Sequence, residues 1–367
     1  MNIAVDVRPL MEGRHSGVEE YTIQVVRALL QDGRQHRFRL FYNSFRPVQL
    51  PTFPGAEMLG YRYPNKAFNI AQLLAGRPRW DHLVAADVFF LPHVRLLPVS
   101  SGVPYVVTVH DLSFARFPFF YSRRRRVWHQ LVRPRQVIRQ AAQVIAVSEA
   151  TRDDLVSLYG VDADRVSVVH SGIAAPAGGG ISEILARRLP ERFVLYLGTL
   201  EPRKNIAGLI TAYSAIADRV PQDLVLAGSR GWLTGGIDRA YGQSSVQHRI
   251  HFLGFVPEAD KTALYARADL FVYPSFYEGF GFPPLEALAA GTPAVVSHNS
   301  SLPEVAGEWA YLVNPYDTTE LAAVLQEALL LVQAVPAEVQ TAVRRRYDWQ
   351  QTAAQTLTII ERAAGGG

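Results

Sequence analysis

The sequence contains no cysteine, which excludes disulfide bonds and thiolate ligands for a metal ion. Lysine is nearly missing as well, since only Lys66, Lys204 and Lys261 occur among the 37 Lys and Arg residues. No apolar run reaches about 18 residues, the length that a helix needs to cross a bilayer. The lack of cysteine favours a reducing compartment, so we expect a cytoplasmic protein.

The chain has 367 residues, more than one hydrophobic core usually supports, and this length favours two domains. With 49% hydrophobic and 19% charged residues, the composition is typical of a soluble globular protein. The chain starts with "MNIAVDVRPL", a short apolar run interrupted by Asp6. This pattern favours a first β-strand over a signal peptide.

Positive charge is concentrated in one arginine-rich stretch, "SRRRRVWHQLVRPRQVIRQ" (122–140), although the net charge is only +4. Two interpretations stay open. The stretch is a solvated helix face, or its arginines, Arg123–Arg126 foremost, attract anionic lipid headgroups or a diphosphate-bearing acceptor. No known nucleic-acid-binding motif accompanies the arginines, so we do not expect nucleic acid as a partner.

Short apolar runs alternate with helical stretches such as 18–31 and 149–159, a pattern that predicts an α/β fold with parallel sheets covered on both faces. A segment rich in Gly and Pro (172–190) interrupts the alternation and divides the chain into two similar halves. The expected strands are 3–7, 38–42, 87–91, 105–109, 144–148, 166–170, 193–198, 223–228, 250–254, 269–273, 292–297 and 310–313.

Ligands of such sheets bind beyond the carboxyl ends of the strands. His110, Gly198, Gly228, Gly254 and Glu278 each follow an expected strand directly or within a few residues. A dinucleotide-dependent dehydrogenase is not expected, because Gly-x-Gly-x-x-Gly is missing after the first strand.

The stretch "YEGFGFPPLE" (277–286) places two carboxylates, Glu278 and Glu286, around two glycines and two prolines. Gly279 and Gly281 allow backbone to approach a ligand closely. Pro283 and Pro284 suit the first turn of a helix over 285–290, whose positive end favours an anion. The alternative is a strand-turn-helix connection with an incidental acidic pair.

Several segments in this order resemble the retaining nucleotide-sugar glycosyltransferases of family 4: "SGVEEYT", "VTVHDLSFARFP", "VIAVSEATRDDLVSLYGV", "YLGTLEPRKNI", "FLGFVP" and "YEGFGFPPLEALAAGTPAVVS". The resemblance implies the GT-B fold, with two facing Rossmann-like domains and a C-terminal helix that crosses back to the first. The expected division is an acceptor domain (1–173), a linker (174–190), a donor domain (191–345) and the returning helix (346–367).

The resemblance also implies roles for the site residues. Glu278 matches the glutamate associated with the donor sugar, and Glu286 the one associated with the ribose hydroxyls. Arg203 and Lys204 match the pair that binds the diphosphate, whose growing negative charge two fixed cations would stabilise. His110 would orient the hexose by polar contact and would not bind a metal, because no carboxylate cluster stands beside it.

The donor nucleotide would contact further residues on the family pattern. Phe255 and Val256 are expected near the base, and Gly17 near the phosphates or the acceptor. Glu19 and Glu20 could bind an acceptor hydroxyl, but we favour the start of a helix. The other expected contacts are Gly198, Thr199, Gly279, Phe280, Gly281, Phe282 and Leu285.

We therefore expect a metal-independent hexosyltransferase without a cofactor, with GDP-mannose as the first donor and a UDP-hexose as the second. Its closest local resemblance is to bacterial mannosyltransferases of envelope polysaccharide assembly, which implies a glycan or lipid-linked acceptor. The alternatives are a nucleotide-sugar epimerase on the same fold and a carbohydrate-binding protein that has lost turnover. The expected location is the cytoplasm, with peripheral contact to the inner face of the cell membrane left open.

Overall fold

The structure is a computed structural model, and it describes residues 1–12, 17–174, 180–331 and 333–365. The chain divides into two compact units. Unit 1 comprises Met1–Arg116, Arg123–Gly172 and Tyr347–Gly367, and unit 2 comprises Phe117–Ser122 and Ile173–Arg346. Part of the expected linker, 175–179, lies outside the described residues. Its later part contains a short helix, Glu183–Ala186.

Unit 1 is built on a parallel sheet that has seven strands within the described residues: β1 (Asn2–Asp6), β2 (Arg37–Asn43), β3 (Glu57–Tyr61), β4 (Val88–Leu91), β5 (Tyr105–Val109), β6 (Gln143–Ala146) and β7 (Val166–Val168). Their order in the sheet is β3-β2-β1-β4-β5-β6-β7. Six of the strands were expected from the sequence, and β3 was not. It lies at the sheet edge and is half exposed, so it lacks the continuous apolar run of a central strand.

Helices cover both faces of this sheet: α1 (Gly17–Asp32), α2 (Asn65–Ala75), α3 (Trp80–Leu83), α4 (Ser113–Arg116), α5 (Arg123–Val132), α6 (Pro134–Gln140) and α7 (Glu149–Tyr159). The helices expected over 18–31 and 149–159 are α1 and α7. In α1, Tyr21, Val25 and Leu29 recur every four residues and are fully buried. They belong to a core on one face of the sheet with Ile3 and Val5, whereas Ala4 belongs to the core on the other face.

Unit 2 repeats this architecture with six parallel strands among the described residues, and all six were expected: β8 (Phe193–Leu197), β9 (Asp223–Ala227), β10 (Ile250–Gly254), β11 (Leu270–Tyr273), β12 (Ala294–Ser297) and β13 (Tyr311–Val313). Their order is β10-β9-β8-β11-β12-β13. The helices are α8 (Glu183–Ala186), α9 (Ile206–Ile216), α10 (Gly235–Gln243), α11 (Glu258–Arg267), α12 (Phe282–Ala289), α13 (Leu302–Val305), α14 (Thr318–Leu330) and α15 (Ala337–Arg346).

The C-terminal segment 339–364 contains parts of two helices. α15 ends at Arg346 and packs against α12 in unit 2, and α16 (Trp349–Gly365) packs against α1 in unit 1. Asp348 separates them, because its carboxylate accepts from the N–H groups of Gln350 and Gln351 at 2.8 and 3.2 Å and starts the second helix. Across the described residues, no helix combines the length and apolarity that a membrane span requires.

Candidate active site

Glycines bring three chain segments of unit 2 close together at the carboxyl ends of β8, β9 and β10. The N–H of Gly198 donates to the carbonyl of Ala227 at 3.0 Å, and the N–H of Gly228 donates to Gly254 at 2.7 Å. Gly228 has a φ of +130°, and a Cβ atom there would collide with the carbonyl oxygen of Gly198. At the expected glycine positions, the end of the sheet therefore consists of main-chain atoms. Thr199, which is exposed, follows Gly198 directly.

Arg203 and Lys204 lie in a short 3-10 turn, Pro202–Lys204, that follows β8. The carbonyl of Arg203 accepts from the N–H of Phe276 at 2.9 Å. Phe276 follows β11, the strand next to β8 in the sheet. The loops after two neighbouring strands are thus joined through main-chain atoms.

Glu278, in the loop after β11, lies between the two cations. Its Oε2 accepts from Arg203 Nη1 at 2.8 Å, and its Oε1 accepts from Lys204 Nζ at 2.5 Å. The side chains of Glu278, Lys204 and Arg203 are 8%, 9% and 13% exposed. Burial of this kind makes each charge–charge contact stronger than it would be in water.

Two further side chains complete this cluster. Arg203 also donates from Nε to Glu201 Oε1 at 3.1 Å, and its Nη2 lies 2.9 Å from the same oxygen. Lys204 Nζ donates to the hydroxyl of Tyr273 at 2.5 Å. With two cations and two carboxylates, the buried cluster has a formal net charge of zero.

The charges of the cluster decide its protonation. Burial by itself would raise the pKa of Glu278, but Arg203 and Lys204 outweigh it and lower that pKa to about 2. Burial and the neighbouring charge of Arg203 lower the pKa of Lys204, against the opposite effect of Glu278. The carboxylate is therefore ionised at neutral pH and cannot donate a proton.

The backbone around Glu278 is held by two serines that precede α13. The N–H of Glu278 donates to Ser300 Oγ at 3.0 Å, and Ser301 Oγ donates to the carbonyls of Glu278 and Phe280 at 3.0 and 2.7 Å. Gly281 then has a φ of +113°, and a Cβ there would lie 2.7 Å from a methyl of Leu302. Glycine is required at this position for both reasons.

Helix α12 begins at Phe282, three residues before the start expected from the sequence, and ends at Ala289. Both prolines lie in its first turn, where a missing N–H costs little. Leu285 is fully buried, and the rings of Phe280 and Phe282 meet edge to face at 5.1 Å. These side chains anchor the helix start, next to buried Gly279.

Glu286 lies within α12, and its surroundings differ from those of Glu278. Its Oε2 accepts from the hydroxyl of Tyr265 at 2.8 Å, and Tyr265 is itself buried. Burial, and then the charge of Glu286, raise the pKa of Tyr265 well above its usual value, so the phenol stays a hydrogen-bond donor. One carboxylate of the pair thus contacts cations and the other a neutral hydroxyl.

The residues expected near the base follow β10. Phe255 is exposed and Val256 is buried. The side chain of Phe255 therefore lies at the surface, whereas that of Val256 packs into the unit.

His110 and Gly17 belong to unit 1. His110 follows β5, and its Nε2–H donates to the carbonyl of Pro92 at 2.8 Å, with the ring of Tyr21 edge-on at 4.7 Å. Burial lowers the pKa of His110, although the Pro92 carbonyl and Asp111 act in the opposite direction, so the imidazole is neutral at pH 7.

The residues next to His110 and Gly17 lie at the starts of helices. Asp111 Oδ1 accepts from the N–H of Ser113 at 2.9 Å at the start of α4. Gly17 is the first residue of α1, and Glu19 and Glu20 occupy the first turn, as the helix interpretation predicts.

Sequence reasoning missed several residues of the site: Glu201, Tyr273, Ser300 and Ser301. Glu201 stands two residues before Arg203, and a carboxylate so close to two cations was the one available signal. The serines follow β12 and reach Glu278 only because β11 and β12 are neighbours in the sheet. That adjacency cannot be read from the local sequence.

Comparison with known protein families gives two matches. The family described as "Glycosyltransferase Family 4" matches residues 15–175, and "Glycosyl transferases group 1" matches residues 181–337. O-antigen chain mannosyltransferase B of Escherichia coli is 29% identical over 382 residues, covering 94% of this chain and 96% of that protein. An uncharacterized glycosyltransferase of Methanocaldococcus jannaschii is 30% identical over 274 residues, covering 71% and 69%.

Solved structures show the same fold. Sucrose-phosphate synthase from Thermosynechococcus elongatus aligns with a TM-score of 0.79 at 19% identity, covering 100% of both chains. Anabaena HepE in complex with UDP and glucose aligns with a TM-score of 0.73 at 20% identity, covering 98% and 99%. The expected fold class is confirmed: α/β with two Rossmann-like parallel sheets, as in GT-B glycosyltransferases.

Proposed function

We propose, because this chain belongs to glycosyltransferase family 4, that it transfers a hexose from a nucleoside diphosphate sugar to a glycan or lipid-linked acceptor. The observation that carries the proposal is the buried cluster in which Arg203 and Lys204 converge on Glu278. GDP-mannose is the first donor, since several relatives are named mannosyltransferases. A UDP-hexose is the alternative, since the similar Anabaena structure contains UDP and glucose.

The transfer retains the anomeric configuration, because the acceptor attacks from the face that the diphosphate leaves. The bond from the anomeric carbon to the β-phosphate oxygen breaks, and the bond to the acceptor oxygen forms. The acceptor proton passes to the departing phosphate oxygen, whose charge Arg203 and Lys204 stabilise. Glu278 is not the nucleophile, and its two oxygens, which both accept from these cations, support this assignment.

The mechanism is tested with Glu278→Gln and with the product. The variant should lose most of its activity, and azide should not restore it, because no nucleophile site has been vacated. A sugar trapped covalently on Glu278 in mass spectra, or a product with inverted configuration, would contradict same-face substitution.

The donor is tested by incubating the protein with GDP-mannose and a set of UDP-hexoses, with and without saccharide acceptors. Acceptor-dependent release of GDP supports the first donor, and release of UDP supports the alternative. An altered sugar without an acceptor would identify an epimerase. Binding without turnover of any donor would identify a carbohydrate-binding protein.

We also propose that the reaction needs no metal ion and no cofactor besides the donor. The proposal is supported by Arg203 and Lys204, two cations that Glu278 holds close together and that would supply the positive charge for the diphosphate. Activity should therefore persist in excess chelator, and its loss there with recovery on adding a divalent cation would contradict this proposal.

A second proposal concerns the surface of unit 1, where we infer contact with anionic lipid at the inner face of the cell membrane. On α5, Arg123, Arg124 and Arg126 are exposed, and so are Trp128 and Leu131. No acidic residue occurs between Asp111 and Glu149. Basic side chains near an anionic surface contribute about 1 kcal/mol each, and apolar ones enter the headgroup boundary.

Helix α2 has matching features. Between Glu57 and Asp81 the sequence contains four basic residues and no acidic one. Phe68 of α2 belongs to the same hydrophobic cluster as Ile138 of α6, the helix that directly follows α5 in the sequence. Helices α2 and α6 therefore lie over one face of the sheet. Exposed apolar residues of α2 recur at helical spacing: Ala67, Ile70, Ala71 and Leu74.

Vesicle binding tests this second proposal. Vesicles containing phosphatidylglycerol should retain the protein, phosphatidylcholine vesicles should not, and salt should release it by screening. Replacing Arg123, Arg124 and Arg126 by Gln should weaken retention, whereas the matched triple Gln variant of exposed Arg187, Arg219 and Arg239 in unit 2 should not. Equal binding to both vesicle types would contradict the proposal.

A further inference from the structure

One short segment belongs to a different unit from the residues that flank it in the sequence. Phe117–Ser122, "FPFFYS", belongs to unit 2, although the residues before and after it belong to unit 1. We call this segment the arm. It is not among the residues to which the proposed function assigns a role, yet four of its six residues are aromatic.

The arm is packed through ring contacts and one hydrogen bond. Phe120 is 9% exposed and stacks on Phe276, with ring centroids 5.6 Å apart and planes 14° apart. Phe117 meets Tyr277 edge to face at 5.6 Å. Trp232 donates from Nε1 to the carbonyl of Phe120 at 2.7 Å, which fixes the backbone at this point. Aromatic pairs of this geometry contribute beyond their burial.

Phe276 and Tyr277 are the two residues directly before Glu278 in the sequence, and both are hydrogen-bonded to Arg203. The N–H of Phe276 donates to the carbonyl of Arg203 at 2.9 Å, and Arg203 Nη1 donates to the carbonyl of Tyr277 at 2.7 Å. A shift of this segment therefore moves the guanidinium and the carboxylate together. Misplacement of catalytic groups by about 1 Å can lower turnover 10²-fold.

We propose that Phe120 and Phe117 are positioning residues, which hold Phe276 and Tyr277 so that Glu278 and Arg203 keep their geometry. The catalytic part of this inference rests on the proposed transferase function, and the structural part does not. Since these groups act on the transition state, the arm should influence kcat more than KM.

The test uses the full chain and two neighbouring phenylalanines. Phe120→Ala removes the ring that stacks on Phe276. Phe119→Ala is the matched control, because Phe119 is 67% exposed and its ring contacts are with Phe117 and Phe120, inside the arm. Phe120→Tyr keeps the ring and should behave as the wild type.

The first measurement is hydrogen–deuterium exchange, which needs no substrate. In Phe120→Ala, exchange should rise at least tenfold in 200–205 and 274–280, with smaller changes in the remaining peptides of unit 2, and Phe119→Ala should match the wild type. Unchanged exchange in these two segments, or an equal rise throughout unit 2, would overturn the inference. If Phe120→Ala does not fold, Phe120→Leu, which keeps apolar volume but no ring face, is judged by the same criterion.

The second measurement is transfer from GDP-mannose or the UDP-hexose that the protein accepts. Phe120→Ala should lower kcat about 10- to 100-fold and change KM for the donor less than threefold, with kcat restored in Phe120→Tyr. An unchanged kcat beside raised local exchange would overturn the catalytic part. A wild type that transfers no sugar would instead count against the proposed function, while exchange still decides whether the arm holds the site.

Discussion

Each unit contains a group of buried, ion-paired side chains next to a strand of its sheet, and the two groups differ in how their charges are paired. In unit 1, Asp6 is the last residue of β1 and forms a two-pronged pair with Arg8, whose Nε and Nη2 lie 2.8 and 2.6 Å from the two carboxylate oxygens. Arg8 also donates to the carbonyl of Leu96 at 3.1 Å and lies over the ring of Trp80 at 4.9 Å. Protein groups thus surround this pair on several sides.

In unit 2, two cations from one turn converge on one carboxylate from another loop. A one-to-one pair enclosed by a ring and a carbonyl stabilises a fold locally. Two cations fixed side by side can also stabilise an external anion that carries more than one charge. Burial of charge is thus not evidence of function, whereas convergence of like charges from a rigid turn is.

The largest effect is expected for stability at the unit 1 pair. Arg8→Met should lower the free energy of unfolding by about 3–5 kcal/mol, because Asp6 is left buried without its partner. Urea unfolding followed by circular dichroism measures this loss, and the surface pair variant Arg39→Met should lose at most about 1 kcal/mol. An Arg8→Met protein with normal stability and low kcat would place Asp6 and Arg8 in the active site.

At the unit 2 cluster the expected effect is on turnover. Lys204→Met should lower kcat by roughly 10²–10³, the scale of losing one preorganised electrostatic donor, and Arg203→Gln should act similarly. Steady-state kinetics with the accepted donor measures this effect. Lys261→Met, which removes a cation paired with Glu258 at the surface, is the matched control and should keep normal kcat. A normal kcat in Lys204→Met would contradict the functional difference drawn between the unit 1 pair and the unit 2 cluster.

Acid should weaken the unit 2 cluster in a defined range. The folded-state pKa of Glu278 is about 2, below its usual 4.5, so the ionised form favours folding. This contribution, about 3 kcal/mol, is complete above pH about 4.5 and is lost as the pH falls to about 2. Unfolding free energies measured from pH 5 to 2 should therefore fall more steeply for the wild type than for Glu278→Gln. Parallel curves would contradict the assigned pKa.

The smallest effect is expected at His110, because its imidazole carries no charge and contributes through hydrogen bonds, such as the one that it donates to the carbonyl of Pro92. His110→Gln should lower kcat/KM about tenfold, the value of one hydrogen bond of about 1.4 kcal/mol. Because burial holds the pKa of His110 below its usual 6.5, the variant and the wild type should share one pH dependence between pH 7 and 9. His248→Gln, at an exposed site, should have no effect. A pH profile altered by His110→Gln would contradict a neutral imidazole.

Much of the fold could be predicted from the sequence. Twelve of the thirteen strands within the described residues stood out as apolar runs, because strands buried on both faces need apolar side chains throughout. Strand β3 lies at an edge and does not meet that condition.

The sequence by itself determined the fold class and drew attention to Arg203, Lys204 and Glu278, because apolar periodicity and charged residues after strands are local properties. Only the tertiary structure decided their geometry. Sheet order places β11 between β8 and β12, which brings Glu278 to the cations and Ser300 to Glu278. The tertiary structure also decided that Phe120 stacks on Phe276, which lies 156 positions further along the chain. This contact results from packing, and no short sequence pattern encodes it.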